Sequence, residues 1–133
     1  MKILVIGLPG TGKSTYVRNH LVEDAVAYDL DELARAFRMG LLEGYHCASR
    51  AMANDLIYGF VQKAEDYART AYIIRTAPTL QELGEINPDR IVVCTRIYDE
   101  RDYTYARKED MEQRIADVVA HAKAAGIEVR EII

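Results

Sequence analysis

A glycine-rich segment at residues 7–14 combines residue types that together can bind phosphate. It reads Gly-Leu-Pro-Gly-Thr-Gly-Lys-Ser and matches the phosphate-binding loop pattern at every fixed position. Glycines leave the backbone N–H groups unobstructed where they must converge on the phosphates. Lys13 would then reach the β- and γ-phosphates, and Ser14 would give its hydroxyl to Mg²⁺. The residues predicted to bind a nucleoside triphosphate are Gly7, Pro9, Gly10, Thr11, Gly12, Lys13, Ser14 and Thr15.

The segments on either side of this motif are those that such a loop requires. Residues 2–6 form a mostly apolar run, which is typical of a strand buried on both faces. A helix is predicted from Lys13 to Leu21, and its N-terminus would direct a partial positive charge at the anion. A plain glycine-rich turn is the alternative, but such a turn has no need of the Lys-Ser pair.

The rest of the chain alternates between strand-like and helix-like segments, which indicates an α/β fold with a mainly parallel sheet. The other predicted elements are a strand at 25–28, a helix at 29–39 before Gly40, a helix at 48–69, a strand at 72–75, a short helix from Thr79 to about Gly84, a strand at 91–94, a helix at 108–125 and a strand at 127–132. Thr79 and Glu82 are predicted to form a capping box at the start of the short helix. No repeat or linker separates them, so residues 1–133 are predicted to form one domain.

Charge and composition limit the partners. The chain has 133 residues, a net charge of −4 and a pI near 5.4. That balance argues against strong non-specific nucleic-acid binding, although a small basic cleft is compatible with it. No apolar segment is long enough for a membrane span or a signal peptide, so we expect a cytoplasmic protein with no membrane partner. Nothing indicates secretion, and Cys47 and Cys94 are therefore expected to be free.

Two carboxylates, Asp29 and Asp31, directly follow the second predicted strand. A carboxylate at the carboxyl end of a strand beside the loop strand lies in the ligand crevice of an open α/β sheet. There it can accept a proton from a hydroxyl that attacks the γ-phosphate. The alternative is structural, with Asp29 as the N-cap of the next helix and Asp31 in its first turn. One residue can cap while the other acts, and Asp31 is the favoured base.

With these residues in place, the chain resembles small kinase-like or AAA-type NTP-binding P-loop proteins of the polynucleotide-kinase and zeta-toxin type, often encoded by phages and prophages. The resemblance covers roughly the first forty residues. It implies a three-layer P-loop NTPase fold with a five-stranded sheet in the order 2-3-1-4-5, and the use of ATP with Mg²⁺. It also implies that Asp31 activates the acceptor hydroxyl and that Arg35, one turn later, holds the acceptor.

The ends of the third and fourth strands depart from that family. The third strand of such kinases usually ends in an aspartate that helps to hold Mg²⁺, whereas here Arg75 occupies this region. The fourth strand ends in Cys94, also without a carboxylate. The metal would then depend on Ser14, the nucleotide and one of the two aspartates. Arg75 either faces phosphate or forms a salt bridge at the sheet edge.

The segment from residue 95 to residue 108 is predicted to form a short lid over the phosphates. Its three arginines, Arg96, Arg101 and Arg107, are candidate phosphate contacts. Acidic residues are interspersed with them, so a solvated charged surface is the alternative.

Two functions agree with these features. The first is a phosphotransferase that moves the γ-phosphate of ATP to a hydroxyl on a nucleic-acid end, a nucleotide or a small molecule. The second is a nucleotide-binding module, or slow NTPase, that acts through a partner protein. The missing third-strand aspartate favours the second function, whereas the Asp29 and Asp31 pair favours the first. The acidic charge disfavours a long nucleic-acid acceptor relative to a small one.

Overall fold

The computed structural model describes residues 1–41, 47–98 and 107–132, in which strands alternate with helices. The strands are β1 (Lys2–Ile6), β2 (Ala25–Tyr28), β3 (Thr70–Arg75), β4 (Arg90–Cys94) and β5 (Glu128–Ile132). The helices are α1 (Lys13–His20), α2 (Leu30–Ala36), α3 (Cys47–Asp55), α4 (Ile57–Tyr67), α5 (Leu80–Ile86) and α6 (Lys108–Ala124). Within these segments, none of the helices has the length and apolar content that a membrane crossing requires.

The five strands form one sheet in the order β2-β3-β1-β4-β5, and every pairing is parallel. The inner strands β1, β3 and β4 are buried along most of their length, as continuous apolar runs must be. The edge strands β2 and β5 are more exposed. The α/β class and the strand order are thus confirmed, and β1 lies at the centre of the sheet.

Helices cover both faces of the sheet. On one face, side chains of α4, α5 and α6 pack against Leu4 and Ile6 of β1. On the other face, Val17 of α1 packs against Ile3 and Val5. Successive side chains of β1 point to opposite faces of the sheet, so this one strand contributes to two separate apolar clusters. The result is the three-layer arrangement that the resemblance implied.

The prediction of one continuous helix over residues 48–69 is wrong, because α3 and α4 are separated at Leu56. The Ala53 carbonyl, which would accept from Ile57 in a continuous helix, accepts from the Tyr28 hydroxyl at 2.5 Å. It also accepts from the Leu56 N–H at 3.3 Å, which tightens the last turn of α3. A tertiary contact with β2 thus replaces a regular helical bond.

Other helix boundaries differ by a few residues. Helix α2 ends at Ala36, and a turn with Met39 at φ 56° follows before Gly40. The predicted capping box of Thr79 with Glu82 is confirmed, and α5 continues through Gly84 to Ile86. These shifts leave the order of the elements unchanged.

The buried Tyr28 hydroxyl gives a prediction for stability. Tyr28→Phe removes the hydrogen bond to the Ala53 carbonyl while keeping the ring, and should lower the free energy of unfolding by about 0.5–1.5 kcal/mol. Urea unfolding at pH 7 measures the change. Tyr67→Phe is the control, because Tyr67 is exposed. Equal stability of Tyr28→Phe and the parent would contradict the importance of this contact.

The same residue gives a pH dependence. Burial raises the pKa of Tyr28 from 10.0 to about 12. The unfolded chain therefore loses this proton near pH 10 while the folded chain keeps it, so the parent should lose stability between pH 10 and pH 12. Tyr28→Phe should lack that share of the decline. Parallel curves for the two proteins over this range would contradict the assignment.

Candidate phosphate-binding site

The glycine-rich loop, residues 7–14, connects the carboxyl end of the central strand β1 to the first turn of α1. The Gly7 N–H donates to the Thr76 carbonyl at 3.1 Å, which ties the start of the loop to the end of β3. Gly12 precedes α1 with φ 81°, a left-handed conformation that glycine adopts without strain. The helix N-terminus therefore opens directly onto the loop, as the sequence predicted.

The loop packs tightly against the end of β4. A Cβ at Gly7 would lie 2.5 Å from the Cys94 carbonyl oxygen and 2.7 Å from Thr11 Oγ1. Thr11 is itself buried and donates its hydroxyl to the Leu8 carbonyl at 2.7 Å. Burial raises the pKa of the Cys94 thiol, whereas the nearby charge of Lys13 lowers it. Cys94 is therefore a small, protonated packing residue beneath the loop.

The Lys13 ammonium lies across the loop. Its Nζ donates to the Gly7 carbonyl and to the Leu8 carbonyl, each at 2.9 Å. The side chain is thus held over the loop by two backbone carbonyls rather than extended into solvent. This is the position from which it would reach an anion bound by the loop.

The Ser14 hydroxyl and the Asp29 carboxylate meet at the mouth of the loop. Ser14 Oγ donates to Asp29 Oδ2 at 2.7 Å. Asp29 Oδ1 accepts from the Asp31 N–H at 2.9 Å, so the same carboxylate caps α2. The structure therefore brings Ser14 and Asp29 together. The Asp29 side chain caps α2 and also contacts Ser14 of the loop.

Asp31 has a different environment. Its Oδ1 accepts a hydrogen bond from Arg50 Nη1 of α3. The Asp31 side chain is 58% exposed, whereas that of Arg50 is 20% exposed. The arginine thus approaches from the protein interior and holds Asp31 on the outer side of the crevice.

Arg75 is engaged at the end of β3. Its guanidinium donates to Glu82 Oε2 of α5 at 2.5 Å and to Asn54 Oδ1 of α3 at 2.9 Å. Arg75 thus forms a salt bridge where β3 ends, which is the alternative that the sequence offered to a phosphate contact. They fasten α3 and α5 to the carboxyl end of the sheet.

The chain after β4 runs beside the loop. The Tyr98 N–H donates to the Gly10 carbonyl at 2.9 Å, and a Cβ at Gly12 would meet the Tyr98 ring at 3.4 Å. The Arg96 guanidinium lies 5.0 Å from the centre of the same ring. Of the arginines in the predicted lid that the structure describes, Arg96 is the one near the loop.

The other predicted residues lie further out. Arg35 is exposed in the last turn of α2, and Thr15 is exposed in the first turn of α1. Arg107 pairs with Asp110 at 3.2 Å at the start of α6, and this hydrogen bond raises its pKa. Arg101, and with it most of the predicted lid, lies outside the described residues.

The donor set at the mouth of the loop fits Mg²⁺. A hydroxyl and a carboxylate oxygen are ligands that a hard cation prefers, and Mg²⁺ usually takes one or two carboxylates together with substrate phosphates. Among residues 1–41, 47–98 and 107–132, no cluster of three or more histidine, cysteine or acidic side chains forms a metal site. Ser14 would hold the ion together with the nucleotide, and the Asp29 carboxylate would lie beside the ion.

Three features escaped the sequence analysis. The Arg50 contact to Asp31 joins residues 19 positions apart, and nothing in the local pattern indicates it. The Tyr98 ring over the loop depends on a hydrogen bond between two loops, which leaves no periodic signal. The contact between Ser14 and Asp29 arises because the loop follows β1 and Asp29 follows β2, and the carboxyl ends of these parallel strands lie at the same end of the sheet. The position of Asp29 directly after a strand is the signal that could have predicted this contact.

Comparisons with known proteins give a likeness of fold. No protein-family model matches the chain, and no curated protein matches it. A chain in the structure of the Pnkp1/Rnl/Hen1 RNA repair complex is similar over 92% of this chain, at 15% identity and a TM-score of 0.51. A chain in another Pnkp1/Rnl/Hen1 structure is similar over 80%, at 16% identity and the same TM-score.

A sugar kinase from Janibacter sp. HTCC2649 in an unliganded structure aligns with 98% of this chain and 82% of its own, at 14% identity, with a TM-score of only 0.39. This chain spans 45% and 42% of the two chains from the RNA repair structures, less than half of either. At these identities the likeness to the two chains from the RNA repair structures shows a shared α/β fold.

The packing at Gly7 gives a prediction for the loop. Gly7→Ala places its Cβ against the backbone carbonyl of Cys94, so the loop must shift, and affinity for ATP should fall at least about tenfold. Isothermal titration with ATP and Mg²⁺ measures this. The matched control is Gly59→Ala in α4, where a Cβ meets nothing within 4 Å. Parent-like ATP affinity in Gly7→Ala would contradict a loop that requires this close contact.

Proposed function

We propose that the protein is a phosphotransferase that moves the γ-phosphate of ATP to a hydroxyl acceptor. The observation that carries the proposal is the hydrogen bond from Ser14 Oγ to Asp29 Oδ2 at 2.7 Å. It attaches a carboxylate, a side chain that can take a proton from an alcohol, to the loop that is predicted to bind phosphate. A loop that only bound a nucleotide would have less need of a base at this position.

The reaction follows from these residues. The acceptor oxygen forms a bond to the γ-phosphorus, the bond from that phosphorus to the β,γ-bridging oxygen breaks, and ADP leaves. The acceptor hydroxyl proton passes to the Asp29 carboxylate. Lys13 and the backbone N–H groups of the loop stabilise the negative charge that develops on the transferred group. When bound at Ser14, Mg²⁺ supplies further charge stabilisation to the phosphate oxygens.

Asp29 is better placed than Asp31 to act as the base. Of the residues that directly follow the carboxyl ends of β1, β2, β3 and β4, Asp29 is the acidic one. It is bonded to a loop residue, whereas Asp31 is bonded to Arg50 on α3. Asp31 remains the second candidate.

Other residues complete the proposed site. Arg96, held near the loop by the Tyr98 ring, would contact phosphate, and Arg101 and Arg107 are further lid candidates. Arg35 would contact the acceptor from α2. The two RNA repair structures support a nucleotide-handling fold, and they make a nucleic-acid end one of the acceptor classes to be tried.

Lys13 gives the first test of this proposal. Lys13→Ala removes a charge-assisted phosphate contact worth about 1.5–3 kcal/mol, so ATP affinity should fall roughly 10- to 150-fold. The fold should persist, because Lys13 is not a core residue. Equilibrium binding of ATP measures the loss, and Lys63→Ala on the exposed side of α4 is the matched control. Equal ATP affinity in Lys13→Ala and the control would refute nucleotide binding by this loop.

The two aspartates give the second test. Asp29→Asn keeps the volume and capping ability of the residue, but the amide cannot take a proton. Transfer of labelled γ-phosphate should therefore fall at least tenfold, and general bases typically contribute about 10²–10⁴-fold to the rate. Asp31→Asn is the matched variant and should lose less. ATP affinity should change little in both.

Each alternative has its own result in this assay. A larger loss in Asp31→Asn would return the role of base to Asp31. Release of phosphate without transfer to any hydroxyl would instead indicate a slow NTPase that acts through a partner protein.

A further inference from the structure

An open groove adjoins the loop at Ser14 and Asp29. Its volume is about 540 Å³, within the range of roughly 300–1,000 Å³ usual for small-molecule sites. It lies beside the edge strand β2, and most of its other side chains come from α1, α2, α4 and the residues that flank these helices. One end of the groove therefore reaches the hydroxyl and the carboxylate at the mouth of the loop.

Most of the groove is apolar. It is lined by Val17 of α1, Leu21 directly after α1, Leu33 of α2, Leu56 between α3 and α4, and Phe60 of α4. Leu21 and Leu56 are large apolar residues that are 44% and 47% exposed. Removing this apolar surface from water is favourable, and a ligand with an apolar ring would do so by binding in the groove.

The charges that the described residues give this groove disfavour a phosphate on the ligand. The charged side chains among them are those of Arg18, Glu32 and Asp29, which sum to one negative charge. Arg18 donates to Glu32 Oε1 at 3.0 Å, so this arginine already has an acidic partner. A phosphate placed between them would meet the carboxylates of Asp29 and Glu32 and would compete with Glu32 for Arg18.

We infer that this groove is the acceptor site and that the acceptor is a phosphate-free alcohol with an apolar ring, as in a nucleoside. The inference rests on the proposed phosphotransferase function and names the substrate class of the same site. The ring lies against the apolar side chains of α1, α2 and α4, and the hydroxyl reaches Asp29. The polar edges of the ring face the open side of the groove, where water satisfies them.

Thymidine is the probe, because it can be compared with its own 3′-monophosphate and with an oligonucleotide that has a 5′-hydroxyl. Thymidine should be phosphorylated with a kcat/KM at least tenfold above that of either phosphorylated acceptor. A higher kcat/KM for thymidine 3′-monophosphate or for the oligonucleotide overturns the inference.

A variant that fills the groove tests its location. Ala36 lines the groove from the exposed end of α2, so Ala36→Phe should raise the KM for thymidine at least tenfold and leave the KM for ATP unchanged. Ala116→Phe makes the same substitution on an exposed position of α6 and should change neither value. Thermal unfolding confirms that both variants fold. An unchanged KM for thymidine in Ala36→Phe overturns the inference while leaving the phosphotransferase function intact.

Direct binding separates this inference from the proposed function. Equilibrium dialysis measures the binding of labelled thymidine to the parent and to both variants without any transfer. Thymidine binding that is lost in Ala36→Phe and kept in Ala116→Phe supports the groove as the thymidine site. If such binding is seen and no acceptor is phosphorylated, only the phosphotransferase function is refuted. Absence of binding, or equal binding in all three proteins, overturns the groove assignment.

Discussion

The carboxyl end of β1 is held on both sides before the glycine-rich loop begins, and the geometry of the candidate site follows from this constraint. On one side, the Gly7 N–H is bonded to the Thr76 carbonyl after β3; on the other, the Cys94 carbonyl of β4 leaves no space for a side chain at Gly7. The first residue of the loop is thus fixed against two neighbouring strands. The start of α1, and with it Lys13, is placed by the sheet rather than by the loop itself.

Asp29 links this fixed loop to the less constrained edge of the sheet. Its two carboxylate oxygens serve different partners, the Ser14 hydroxyl and the Asp31 N–H, so one side chain joins the first turns of α1 and α2. A carboxylate and a triphosphate in one crevice repel each other. A hard cation at Ser14 would offset that repulsion, and such a cation fits the oxygen ligands found there.

The sequence predicts the parts of this molecule in which one local pattern decides the outcome. Continuous apolar runs indicate β1 and β4, and the Thr79 and Glu82 pair predicts the capping box of α5, because these signals depend on residues a few positions apart. The separation of α3 from α4 was missed because the Tyr28 hydroxyl competes for the Ala53 carbonyl across 25 positions. The contacts of Asp31 with Arg50 and of Arg75 with Asn54 likewise depend on how α3 packs against the rest of the chain. No local sequence pattern predicts which side chains of α3 face these residues.

A single fold supports many acceptors, and the charge of the acceptor is decided by the few residues around the crevice rather than by the sheet. Three arginines on this side of the loop are paired with acids: Arg18 with Glu32, Arg50 with Asp31, and Arg75 with Glu82. A phosphate on the acceptor that approached one of these pairs would compete with the acid for its arginine. An uncharged acceptor leaves all three pairs in place and gains contact with the apolar groove. Under the proposed function, the pairing of these arginines with acids, beside a loop predicted to bind anions, therefore favours an uncharged acceptor over a phosphorylated one.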